Sequence, residues 1–187
     1  MFEGNTIRTE RLQLRQLKLE DASAYFALRS SAEVMAYIQR PLAISEAEVL
    51  EQIKDQLMAQ AEGKMVVWAI ADLNDRLIGI AGYWRMQLEH QRSEVGYLLD
   101  APYQGQGLGT EALQAVLDFG FRELKLHKIE ADVDPRNTAS LRLLGRFGFQ
   151  KEALFRENRY FAGEFHDSCW LGLLRSEWET FKSNTSR

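Results

Sequence analysis

Three glycines at alternate positions, in Gln104-Gly105-Gln106-Gly107-Leu108-Gly109-Thr110, lie between an apolar strand-like run, Val95 to Leu99, and an amphipathic run, Ala112 to Leu124. A glycine-rich turn that leads from a strand into a helix leaves its backbone N–H groups free and pointing one way. The positive end of the helix dipole adds to them, so the turn attracts an anion, above all a phosphate. The segment thus fixes a strand and a helix as sequence neighbours and sets the question of which phosphate carrier the turn serves.

The flanking sequence supplies the remaining elements. Arg11 to Leu17 alternates as a strand and Leu19 to Arg29 has helical spacing. A second helix runs from Ser45 to Ala61, opened by a Ser45/Glu48 capping box and followed by Gly63. Met65 to Ala71 and Leu77 to Trp84 form a hairpin around Asn74-Asp75-Arg76, and Ser93 to Leu99 leads into the glycine turn. In the next helix Leu113, Val116, Leu117, Phe121 and Leu124 line one face, and Gly120 on that face marks a close packing approach. Lys128 to Val133 is a strand, and Asn137 caps a short helix that ends at Gly148. Phe149 to Phe155, Arg159 to Phe161 and Phe165 to Leu174 read as closing antiparallel strands with a tip at Ala162-Gly163-Glu164. From Ser176 the chain reads as a polar, frayed tail. The order β-α-α-β-β-β-α-β-α-β-β is that of an α+β or mixed α/β sheet flanked by helices. No linker divides it, so residues 1–187 are expected to form one domain with its core at about 7–175.

Composition excludes several classes. The net charge of −4 leaves no electrostatic footprint for nucleic acid. No apolar run reaches membrane-spanning length, and the start, Met1-Phe2-Glu3-Gly4-Asn5, lacks a secretory apolar core. A lone cysteine, Cys169, forms no internal disulfide and fits a reducing compartment, so a cytoplasmic protein is expected. His90, His127 and His166 show no metal-ligand spacing.

Three phosphate carriers compete for the turn. A nucleoside-triphosphate loop needs a lysine after its last glycine, and here Thr110 follows Gly109 directly. A dinucleotide fingerprint counted from Gly105 meets Gly107 but finds Thr110 where its third glycine belongs. The third pattern, Gln/Arg-x-x-Gly-x-Gly/Ala, is met by Gln104, Gly107 and Gly109. It resembles the acetyl-coenzyme A pyrophosphate loop of the GNAT (Gcn5-related N-acetyltransferase) superfamily. Thr9-Glu10-Arg11-Leu12-Gln13-Leu14-Arg15 resembles the opening strand of the RimJ/RimL-type branch, the ribosomal-protein N-terminal acetyltransferases and their relatives. Ser93-Glu94-Val95-Gly96-Tyr97, the segment Tyr103 to Leu113, Asn137-Thr138-Ala139-Ser140 and Gly148-Phe149 are similar to that branch as well.

The resemblance implies a mostly antiparallel, twisted central sheet, splayed at the cofactor site and flanked by helices. It implies acetyl-CoA as cosubstrate, no metal, and acetyl transfer to a primary amine. The chemistry needs a base to deprotonate the amine, stabilisation of developing negative charge and an acid for the departing thiolate. The backbone of Gln104, Gly105, Gln106, Gly107, Leu108, Gly109 and Thr110 would hold the pyrophosphate. Backbone groups near Tyr97, Leu98 and Leu99 would pair with the pantetheine arm as an added strand does. Glu94 stands where the base is expected; a solvated strand glutamate is the alternative. Asn137 would cap its helix and bond the arm. Many members carry a tyrosine acid at the position of Leu144, which cannot protonate a thiolate, so Ser140 becomes the acid candidate. Arg146 would reach the 3′-phosphate or stand exposed. The expected acceptor is a protein or peptide N-terminus. A small-molecule amine or antibiotic acetyltransferase and a non-catalytic CoA-binding sensor are the competing classes. Acceptor choice is placed in Ser30 to Ile44 and in the hairpin near Ala162, and exposed apolar strands allow a homodimer.

Overall fold

The computed structural model describes residues 6–185. In chain order its elements are β1 (Ile7–Arg8), β2 (Gln13–Arg15), α1 (Ala22–Ser30), α2 (Glu46–Ala61), β3 (Val66–Ala71), β4 (Leu77–Gln87), β5 (Arg92–Leu99), α3 (Leu108–Arg122), β6 (Lys128–Val133), α4 (Thr138–Arg146), β7 (Gln150–Phe161), β8 (Glu164–Leu174) and α5 (Arg175–Thr185). The strands form one sheet in the order β1-β2-β3-β4-β5-β6-β8-β7. Every pairing is antiparallel except β5 with β6, the pair that flanks the crossover through α3.

Helices cover both faces, and β3 shows why. A strand buried on both sides reads as an unbroken apolar run rather than an alternation. Val66, Trp68 and Ile70 face one core, with Leu113, Val116 and Leu117 of α3 and Leu144 of α4. Val67 and Ala69 face the other, with Tyr25 and Leu28 of α1 and Val49 and Ile53 of α2. Gly120 of α3 packs where expected: a Cβ there would overlap the Tyr83 hydroxyl, which donates to the Val116 carbonyl at 2.8 Å.

Local chemistry sets most boundaries. Glu48 N–H donates to Ser45 Oγ at 3.2 Å, as a capping box requires, but the Glu48 carboxylate accepts from Ile44 N–H, one residue earlier than the motif specifies. Asn137 Oδ1 accepts from Ser140 N–H at 3.0 Å and caps α4. Ala162 and Gly163, at φ 52° and 88°, make the two-residue hairpin tip between β7 and β8.

Four expectations are corrected. The strand over Arg11 to Leu17 shortens to Gln13–Arg15, because Thr9 N–H donates to the Leu12 carbonyl and turns the chain into a β1–β2 hairpin. The helix expected from Leu19 opens as a tight 3₁₀ turn, with Lys18 N–H donating to Asp21. The two strands expected over Phe149 to Phe161 are one strand, β7, broken in register and with Glu157 at φ 52°. The tail expected to fray from Ser176 is helix α5. Its Trp178 is buried, stacking on Phe121 at 6.0 Å and on Phe181 at 5.3 Å, and Arg175 donates to the Leu126 carbonyl. Two aromatics three residues apart outweigh the polar composition around them.

Candidate active site at the parting of two strands

β5 and β6 are in register over only three pairs, Arg92 with Lys128, Ser93 with Ile129 and Glu94 with Glu130. Beyond Glu94 they separate. β5 continues against β4 to Leu99, and β6 continues against β8 to Val133. A bulge in β4 between Trp84 and Gln87, with Arg85 at φ 50°, sits opposite Glu94 and increases the local twist. The parting leaves the outer edge of β5 from Val95 to Leu99 without a strand partner. A cavity of about 600 Å³ fills the wedge, lined by Trp84, Glu94, Tyr97, Asp132, Asn137 and Ser140 among others.

The glycine turn stands beside this wedge. Gln104 N–H donates to the Ala101 carbonyl and Glu111 N–H to the Gly107 carbonyl. Between them, the six N–H groups from Gly105 to Thr110 donate to no acceptor among the described residues. Gly105 and Gly107 lie at φ 74° and 81°, a region that other residues enter only with strain. Gly109 has an ordinary backbone and space for a Cβ, so the protein itself does not demand glycine there. Side chains tie the turn in place. Gln104 Nε2 donates to the Leu99 carbonyl at 2.8 Å and Gln106 Nε2 to the Pro102 carbonyl at 2.7 Å. Arg11 donates to the Gln106 carbonyl and forms an ion pair with Glu111, which also accepts from Thr9 Oγ1. The β1–β2 turn is thereby fastened to the start of α3.

Strand alternation places the candidate catalytic groups on opposite faces of the wedge. Glu94 points to the α1–α2 face; Val95 and Tyr97 pack on the α3–α4 side. Glu94 accepts from Arg85 Nη1 at 2.8 Å and its side chain is 19% exposed. Burial pushes the Glu94 carboxyl above the ordinary glutamate value; Arg85 and Arg159 oppose this and Asp132 adds to it. Across the wedge, Tyr97 Oη and Ser140 Oγ share a hydrogen bond of 2.7 Å, and burial raises the Tyr97 phenol to about 12. Leu144 is fully buried beneath them.

The cavity therefore brings together Glu94, Tyr97, Leu98, Asn137 and Ser140. It does not include Leu99, which packs in the core, the turn from Gln104 to Thr110, or Arg146, which is exposed at the end of α4. Cys169 lies buried in the core beside β6. Among the aromatics, Trp84 and Tyr37 line the cavity, whereas Trp68 packs edge-on against Phe119.

Sequence reading missed the ionic framework around Glu94. Asp132 accepts from Arg159 and from Ser168 Oγ, linking β6 to β7 and β8. Asp134 is held by Arg136 at 2.7 Å and by Gln39 Nε2 at 3.0 Å. Tyr97 was singled out for its backbone, but its hydroxyl is what reaches Ser140. Except for Arg136 with Asp134, these partners lie far apart in sequence. Only alternation along β5 and β6 signalled that Glu94, Asp132 and Asp134 could share a surface.

Comparison with known proteins gives this geometry its family. The acetyltransferase (GNAT) domain matches residues 11–150. The uncharacterized N-acetyltransferase p20 of Bacillus licheniformis is 35% identical over 92% of this chain and 98% of that protein. The ribosomal-protein-S5-alanine acetyltransferase of Vibrio fischeri, at 23% identity, superposes with a TM-score of 0.82 over 93% of this chain and 98% of that one. The spermidine N-acetyltransferase of Vibrio cholerae, solved with CoA and spermine, does so at 23% identity and 0.81 over 91% and 99%. The wedge between β5 and β6, the free N–H groups of the glycine turn and these likenesses agree, and the chain belongs to the GNAT family of acetyl-CoA-dependent N-acetyltransferases.

Proposed function

We propose that this N-acetyltransferase modifies the N-terminus of a protein or peptide, with Glu94 as general base and Ser140 as the acid. The observation that carries the catalytic part is the position of Glu94. It is the last residue of β5 paired to β6, its carboxyl is held by burial above the usual range, and it faces the cavity. A carboxylate whose proton affinity is raised by burial is a stronger base than an ordinary exposed glutamate.

The cofactor's residues follow from the same frame. The N–H groups from Gly105 to Thr110 suit a pyrophosphate, and the free edge of β5 over Tyr97, Leu98 and Leu99 suits an amide-bearing arm. Asn137, with its side chain committed to the α4 cap, keeps its place at the wall of the wedge. When bound, acetyl-CoA supplies an activated acetyl thioester. Glu94 takes the ammonium proton of the acceptor, directly or through one water. Ser140 donates toward the thiolate side, Tyr97 Oη, 2.7 Å from Ser140 Oγ, passes its own proton to Ser140, and solvent reprotonates the phenol once the thiol has left. Arg146, exposed at the end of α4, is the side chain offered to the 3′-phosphate.

The fold does not choose the acceptor, because the same fold serves a ribosomal-protein enzyme and a polyamine enzyme. The ionic framework favours the peptide. Glu94, Asp132 and Asp134 are all engaged by arginines, which leaves no open acidic row for a polycation. The deciding experiment follows thiol release from acetyl-CoA with N-terminal peptides, spermidine, aminoglycosides and free amino acids. Turnover of peptides that is lost in Glu94→Gln is expected. Turnover confined to polyamines or aminoglycosides would reject the reading.

A further inference from the structure

The end of the cavity against α1 and α2 carries a buried charge that forms no ion pair among the described residues. Arg29, on α1, is 7% exposed and lines the cavity. Its Nη1 donates to Met35 Sδ, a weak acceptor, and its Nη2 to the Pro41 carbonyl at 3.3 Å. Its Nε has no partner, and among the described residues no Asp or Glu comes within ion-pair distance of it. Burial lowers its pKa from the ordinary arginine value without discharging it; Tyr25 and the more distant Glu48 favour the charge and Arg40 opposes it. Beside it, Gln56 of α2 donates to Tyr25 Oη and leaves its own Oε1 buried and unbonded. Leaving such groups unpaired is costly, and in native structures they signal an absent partner. Among the described residues three buried side-chain atoms lack a partner, and two of them, Arg29 Nε and Gln56 Oε1, belong to residues that line this cavity. The four carboxylates of the lining, in contrast, are all engaged: Glu94 by Arg85, Asp132 by Arg159, Asp134 by Arg136 and Asp167 by the Glu157 N–H.

We infer that the acceptor amine carries a carboxylate, which docks on Arg29 while the amine approaches Glu94 from the same face of the sheet. This rests on the transferase reading above and adds a substrate class to it. A carboxylate accepts from a guanidinium fork with charge-assisted hydrogen bonds. The exposed Arg40, also on the cavity wall and in no ion pair among the described residues, reinforces the positive potential. Two sources present this chemistry: a peptide N-terminus followed by an acidic residue, or a free amino acid.

Matched acceptor pairs test it. One set is peptides with Asp or Glu at positions two or three against the same peptides with Asn or Gln. The other is ω-amino acids of graded length against their carboxamides. Wild-type enzyme is expected to favour the acid member of at least one pair by about tenfold or more in kcat/KM, through KM. In Arg29→Gln that ratio falls toward one, and Arg29→Lys restores part of it. CoA affinity measured by calorimetry stays at the wild-type value and certifies the fold. If no pair turns over, calorimetric binding of the N-acetylated acid and amide to the CoA complex reads the same ratio. A ratio at or below one in the wild type, or one unchanged in Arg29→Gln, overturns the inference. A preference for acid members among amino acids alone would reject the peptide reading and keep the anion site. A preference that follows a dicarboxylic acyl donor rather than the acceptor would place the carboxylate on the wrong substrate and also overturn it.

Discussion

The two faces of the sheet meet at the same wedge and are equipped differently. On the α3–α4 side the binding groups are backbone: six N–H groups of the glycine turn and the unpaired edge of β5. Apart from the Tyr97–Ser140 pair, side chains named there serve as fasteners: Arg11 donates to the Gln106 carbonyl of the turn, and Gln104 and Gln106 donate to the Leu99 and Pro102 carbonyls before it. On the α1–α2 side the groups proposed to act are side chains, Glu94, Arg85 and Arg29, drawn from three different elements. Backbone groups present the same donors whatever the residue, so that half suits a cofactor that never changes. Side chains can be exchanged without refolding, so that half suits an acceptor that differs between relatives. A substitution on one side should therefore move a different kinetic constant from a substitution on the other.

The largest test of that division is Glu94→Gln. It removes the proposed base and keeps the shape, so kcat should fall by about 10²–10⁴-fold at neutral pH, the range usual for a positioned general base. CoA affinity, read by calorimetry, should hold within a factor of two. A variant that keeps wild-type turnover would remove Glu94 from the chemistry.

Gly107→Val is the counterpart on the backbone side. Gly107 sits at φ 81° at the head of α3, and valine there costs about 1–3 kcal/mol of strain or tilts the N–H groups away. CoA affinity should weaken by about 10–100-fold, while kcat at saturating cofactor should stay near wild type. Gly109→Ala, where the backbone is ordinary, isolates the cofactor's own space demand. Retained affinity there would show that only the φ-constrained glycines matter.

The contrast also explains what was legible in the sequence. A backbone site needs glycines at fixed intervals between a strand and a helix, and these stand together in the chain, so Gln104 to Thr110 could be read directly. Helix caps are equally local, and Ser45 and Asn137 cap as their spacing implies. The acceptor side depends on contacts between residues tens of positions apart, such as Arg159 with Asp132, which no window of sequence contains. Arg29 looked like the last residue of an amphipathic helix. Only the packing of α1 against the cavity exposes its missing partner. Helix α5 was misread for a related reason: Trp178 and Phe181 find Phe121 and Phe147 only after the sheet has formed.

A smaller effect separates the two hydroxyls that face Glu94 across the wedge. Ser140→Ala should lower kcat by about tenfold, the worth of one catalytic hydrogen bond, since water can stand in for the missing oxygen. Tyr97→Phe should lower it less, because it removes only the group that resupplies Ser140. Burst kinetics of thiol release will show whether the loss lies in that step; equal losses for both would make the pair a single acid.

The finest test concerns Arg85, whose only acidic partner among the described residues is Glu94. Its positive charge favours the ionised carboxylate and opposes the upward push of burial. Replacing it with glutamine removes that opposition and raises the Glu94 pKa further. The base is active only when deprotonated, so the acid limb of the kcat/KM profile must move to higher pH. On the plateau above that limb the rate should hold or rise slightly, because a base of higher pKa is stronger once ionised. A limb that moved to lower pH, or did not move while Glu94→Gln abolished it, would mean that Arg85 positions the glutamate without tuning its charge. The side-chain half of the site would then be set by geometry alone, as the backbone half is.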